Sequence, residues 1–139
     1  MREQENINND FQELINHCHS AAERLLLEQE EFYPFGAYID NEGNLTPVGF
    51  HDGDDFPLSN TMITGLREHF QRQLKDEELI AFAITFDTRV RNEQFPDAVG
   101  AISIRITHRD ADESINYYFP YKVGQKRIEF LECWAEYAE

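Results

Sequence analysis

Cysteine, tryptophan, glycine and proline are all sparse in this 139-residue chain: two, one, seven and five residues respectively. Cys18 and Cys133 are too few and too far apart for a disulfide framework, which fits a reduced, cytoplasmic setting. The glycines form neither a phosphate-binding loop nor a dinucleotide fingerprint. With no repeat, low-complexity tract or Pro/Gly/Ser linker to divide it, the chain reads as a single domain over residues 1–139. No run approaches the ~20 apolar residues of a membrane-spanning helix. Residues 1–10 are polar and acidic, unlike a secretory signal.

Positive charge is scarce as well. Twelve Lys and Arg face 27 Asp and Glu, a formal net charge of −15. Such a field repels phosphate backbones and anionic membranes and speeds encounter with cations. It therefore argues against nucleic acid or membrane as a partner and favours a basic protein. An acidic balance also serves solubility alone.

What is abundant is core material. The hydrophobic share is 41% with eleven Phe and six Tyr, and a chain of this length buries roughly two-thirds of its unfolded surface. Between residues 8 and 30, Phe11, Leu14, Ile15, Cys18, Ala21, Ala22, Leu25 and Leu26 recur at helical spacing, with Asn8, Asn9 and Asp10 as N-cap candidates. Residues 32–39 and 45–50 flank the polar turn DNEGN and predict a β-hairpin. After the acidic loop HDGDDFP, Ser59 or Asn60 can cap a helix with Met62, Ile63, Leu66, Phe70 and Leu74 on one face.

From residue 78 the period becomes two, with Ile80, Phe82, Ile84 and Phe86 on one side and Leu79, Ala81, Ala83 and Thr85 on the other. After the loop at 91–97, Ile102, Ile104 and Ile106 alternate with Ser103, Arg105 and Thr107. A third run, 115–123, has Ile115, Tyr117, Phe119 and Tyr121 in phase. Pro120 within it lacks a ladder donor, which favours an edge or a strand end. Residues 127–137 read as a further strand, although Leu131, Trp134 and Ala135 also suit a helix. The predicted fold is α+β in the order α-β-β-α-β-β-β-(β), two helices packed on one face of a mostly antiparallel sheet of five or six strands.

Candidate chemistry is thin. His17, Cys18 and His19 are consecutive on a helix and point about 100° apart, so they cannot converge on one metal; Cys18 belongs to the apolar stripe and the histidines flank it toward solvent. Asp52, Asp54 and Asp55 offer oxygen ligands but lack the spacing of a calcium loop, and acids before a helix also complement its dipole. No nucleophile elbow, Cys–His pair or Ser–Lys spacing is present. Cys133 reads as a small buried hydrophobe. Arg89, Arg91, Arg105 and Arg109 could form a basic patch or simply pair with acidic neighbours. The sequence thus names no catalytic residue, metal or cofactor. Its binding candidates are Asp52, Asp54, Asp55, Tyr117, Tyr118 and Tyr121, because rings on both faces of one strand leave one face for contact.

The string EFYPFGAYID, a glycine turn and short strand, a helix, AFAITFDTRV and then FPYKVG together resemble a group of small bacterial domains with a Phe-x-Pro-Phe-Gly opening and a late Pro-Tyr strand. The resemblance covers about residues 31–124, and the loop at 91–97 is longer than the group's compact connection. No activity attaches to that group, so the resemblance implies no site residues. A looser likeness links acidic bacterial sheets of this style to immunity proteins that neutralise basic toxins. The expected function is a non-enzymatic, immunity-like interaction protein with a cationic partner. The alternative is a small-molecule-binding or enzymatic domain with a pocket between helices and sheet lined by aromatics such as Phe35, Phe82 and Tyr117. A homodimer through an exposed sheet edge is compatible with either.

Overall fold

The apolar stripe expected from residue 8 begins earlier in the computed structural model, which describes residues 4–29, 32–49, 59–91, 93–111, 113–124 and 127–137. The first helix, α1, spans Gln4–Gln29. Ile7, Phe11, Leu14, Cys18, Ala22 and Leu26 form its buried stripe. Asn8, Asn9 and Asp10 therefore lie inside the helix rather than capping it. The 26 residues of α1 reach about 39 Å at 1.5 Å per residue, and the helix packs on strands from one side of the sheet to the other.

Among the described residues there are seven strands, more than the five or six expected: β1 (Phe35–Asp40), β2 (Leu45–Gly49), β3 (Leu79–Val90), β4 (Val99–His108), β5 (Ile115–Gly124), β6 (Arg127–Phe130) and β7 (Trp134–Tyr137). The sheet order is β2-β1-β3-β4-β5-β6, with β7 also on β5, and every described pairing is antiparallel. In the β1–β2 turn Gly43 takes φ 89°, and Asp40 Oδ1 accepts from the backbone N–H groups of Glu42 and Asn44 at 2.9 and 3.0 Å. The second helix, α2 (Ser59–Lys75), returns the chain from edge strand β2 to β3. Its end is closed by bonds from Glu77 N–H to Leu74 O and from Glu78 N–H to Gln73 O, with Glu77 in the left-handed region at φ 60°.

The helices do not share a face. Ala37, Ile39, Ala81, Ala83, Ile102, Ile104 and Ile106 pack under α1, whereas Phe82 and Ile84 join Leu66 and Phe70 of α2 on the other side. Both layers exist because β3 is apolar on both faces, as central strands are. Phe70 stacks on Phe82 at 5.0 Å and lies over Gly36, where an added Cβ would stand 2.5 Å from its ring. The expected alternation in β3 also slips once. The register shifts between Ile39 and Asp40, so Leu79 joins the α2 cluster and Ile80 the α1 cluster.

Residues 127–137 are extended, not helical, but in two pieces. Phe130 pairs with Tyr121 and Trp134 with Tyr118, so three residues, 131–133, stand opposite two on β5. This one-residue bulge explains both the mixed pattern and the position of Pro120. Pro120 sits inside β5, opposite Ala101, rather than at an edge or end. A strand residue's N and C=O point to the same side, and the Pro120 carbonyl accepts from Leu131 N–H at 2.9 Å. The missing donor therefore faces the bulge, where a ladder bond is interrupted anyway.

Candidate binding groove

Alternation along β5 separates the three tyrosines chosen from the sequence. Tyr121 faces α1 and is consumed by the fold: its ring crosses Gly100, where an added Cβ would stand 2.8 Å away, and its hydroxyl donates to Asp87 Oδ1 at 2.7 Å. Burial and then the Asp87 contact push its phenol far above the ordinary value, against the pull of Arg89. Tyr117 also faces the α1 side but borders a groove. Tyr118 points to the opposite face. Asp52, Asp54 and Asp55 lie outside the described residues.

The groove runs between the N-terminal half of α1 and strands β5 and β7 and encloses about 640 Å³. Ile7, Phe11, Ile15, Ile115 and Tyr117 make its apolar walls; Asp110 and Glu113 add carboxylates from the β4–β5 turn. Tyr137, 70% exposed, closes the β7 side. Burial and the neighbouring Tyr137 raise the Tyr117 phenol above its ordinary value.

A buried polar pair holds α1 against this end of the sheet. His108 Nε2 lies 2.8 Å from Asp10 Oδ2, and Asp110 N–H donates to His108 Nδ1 at 3.0 Å. An accepting Nδ1 places the ring proton on Nε2, so a neutral His108 donates to the Asp10 carboxylate. One of the three N-cap candidates, Asp10, instead joins the helix to the last residue of β4.

Three turns meet at the same end. Arg109 Nη1 donates to Asn41 Oδ1 at 3.1 Å, and Asn41 Nδ2 donates to the Glu77 carbonyl at 2.8 Å, tying the β4–β5, β1–β2 and α2–β3 turns together. Asp40, Glu42, Asp76, Glu77, Glu78, Asp110 and Glu113 gather there, against Arg109 and the Arg72 and Lys75 of the last turn of α2.

On the other face α2 packs on β1 and β3, and no described helix covers β4, β5 and β7. Tyr118 stacks on Trp134 at 5.2 Å. With Phe86, Arg89, Arg91 and Glu136 they line an open depression of about 680 Å³. Burial and then Glu136 raise the Tyr118 phenol, and Arg105 opposes them. The four arginines do not form one patch: Arg89 pairs across from Gly100 at one end of β4, while Arg109 follows its other end.

Several other expectations change. Phe82 lies on the face opposite Tyr117, so those two rings and Phe35 share no pocket. His19 does not flank toward solvent but sits half-buried between Phe119 and Phe130, at 4.8 and 4.4 Å, and burial lowers its pKa against the pull of Glu23. Cys133 is exposed in the bulge rather than buried. Cys18 is buried as expected; its thiol is pushed up to about 11 by burial, with Thr85 beside it. Among the described residues, no three His, Cys, Asp or Glu side chains are grouped to hold a metal ion, and no helix is long and apolar enough to cross a membrane. Of the residues lining the groove, only Tyr117 is among the binding candidates the sequence names; the i, i+4 pair Ile7 and Phe11, continuing the α1 stripe, is the available signal for the rest of its helical wall. Comparison with family models, curated proteins and solved structures finds no match to this chain.

Proposed function

We propose that this chain is a bacterial, cytoplasmic, non-enzymatic interaction protein, immunity-like in character, that binds a cationic partner protein. The observation that carries this reading is the gathering of seven described carboxylates at the turn end of the sheet, in a molecule whose net charge is −15. A concentrated negative field steers a basic protein to one end of the molecule rather than to its whole surface. The resemblance of residues 31–124 to small bacterial domains bears only on the bacterial part of this reading. For the small-molecule alternative, Phe82 and Tyr117 occupy opposite faces and cannot line one pocket, although Phe11, Tyr117 and Tyr137 do line the groove between α1 and the sheet.

The test is calorimetric titration with a basic protein encoded beside this chain, at low and at high salt. Exposed charges are screened within about 8 Å at physiological ionic strength, so Kd should weaken by about tenfold or more between roughly 0.05 and 0.5 M NaCl. An affinity that hardly moves with salt would remove the electrostatic basis of the proposal.

A further inference from the structure

The geometry points to the groove between α1 and strands β5 and β7 as the docking site for a basic amphipathic segment of a partner protein, with one apolar side chain inserted and a neighbouring Lys or Arg against Asp110 and Glu113. This rests on the reading of the chain as a binder of a cationic protein and names the place and the chemistry of contact.

Two complementary features single out the groove. Its walls offer Ile7, Phe11, Ile15, Ile115 and Tyr117 within about 640 Å³, room for a large side chain and its neighbours. Its rim carries Asp110 and Glu113, both exposed, and among the described residues no Lys or Arg lines it. A purely apolar segment would leave these carboxylates without a counter-charge, and a purely cationic one would leave the walls wet. A segment carrying both features matches both. The depression on the opposite face is of mixed charge, with Arg91 and Glu136 both bordering it, and it offers a cationic segment no uniformly acidic rim. Tyr137, exposed at the β7 side of the groove, is placed to close over an inserted side chain.

Three synthetic peptides of equal length test this by fluorescence anisotropy: Lys/Leu, all-Lys and Glu/Leu. The Lys/Leu peptide should bind about tenfold tighter than the all-Lys peptide, the expected gain from burying an apolar side chain, and the Glu/Leu peptide should not bind. Tyr137→Ala should erase most of that tenfold advantage. The double substitution Asp110→Asn with Glu113→Gln should weaken Lys/Leu binding about tenfold while circular dichroism stays unchanged. Equal binding of both Lys peptides, unaffected by these substitutions, would overturn the groove and leave the broader electrostatic reading intact. Binding of the Glu/Leu peptide as tightly as the Lys/Leu peptide would also overturn the groove. Failure of both Lys peptides to bind at low salt would overturn the groove and the cationic-partner reading together.

Discussion

Tyr117 and Tyr118 are neighbours in β5, yet one borders α1 and the other faces the side that α2 does not reach. Both faces of that strand carry aromatic rings, so composition does not decide what is covered. Helix placement does. The long α1 packs from β1 across to β6, whereas the shorter α2 packs chiefly on β1 and β3, with Val48 of β2 at the margin of its cluster. One face of the sheet is consequently a continuous core with a groove at its edge, and the other is half core and half open surface. The anchor that confines α2 is Phe70, pressed into the space left by Gly36 and stacked on Phe82.

The largest effect that would break this contrast is loss of that anchor. Phe70→Ala removes a fully buried ring and should cost about 3–5 kcal/mol in urea unfolding, the range for emptied aromatic sites; a cost under about 1 kcal/mol would mean that α2 is not docked as described. On the α1 side, Tyr121→Phe removes the hydroxyl that donates to Asp87 Oδ1 and should cost about 1 kcal/mol by the same measurement.

The two cysteines sharpen the comparison of inside and outside. Burial raises the Cys18 thiol from 9.0 to about 11, so the folded chain holds this proton more tightly than the unfolded chain. Its contribution to stability is whole below pH 9 and is lost as pH rises toward about 11. Thermal melts should therefore show a lower Tm at high pH, and Cys18→Ala should shrink the drop. In native protein a thiol reagent should label Cys133 rapidly and Cys18 only after unfolding.

The smallest effect belongs to the open face. Tyr118→Ala should cost about 1 kcal/mol or less, since it loses a ring contact on a surface that no described helix covers. The lone tryptophan, Trp134, should be readily quenched by acrylamide. A large loss of stability, or a shielded Trp134, would show that this face is closed in solution.

Much of the fold was legible because periodicity reports which residues share a face. The stripe from Phe11 to Leu26, the turn at Asp40 to Asn44 and the alternations through Ile84, Ile104 and Phe119 each appear as expected. Asp10 was misread because capping and buried pairing ask for the same side chain, and its partner His108 lies 98 positions away. The groove was hardly legible, since its walls come from α1, the β4–β5 turn, β5 and β7, and no local pattern announces that meeting.

Taken alone, the order of apolar and polar residues determined the helices, the strands and their turns, and composition determined the strong negative charge. Tertiary structure alone decided that the helices lie on opposite faces, that β3 slips phase at Ile80 and that the last strand breaks opposite Pro120. Period-two alternation marks two faces without saying which helix will cover either. That choice follows from where each connection leaves the sheet and from how closely a ring such as Phe70 can approach the backbone of Gly36.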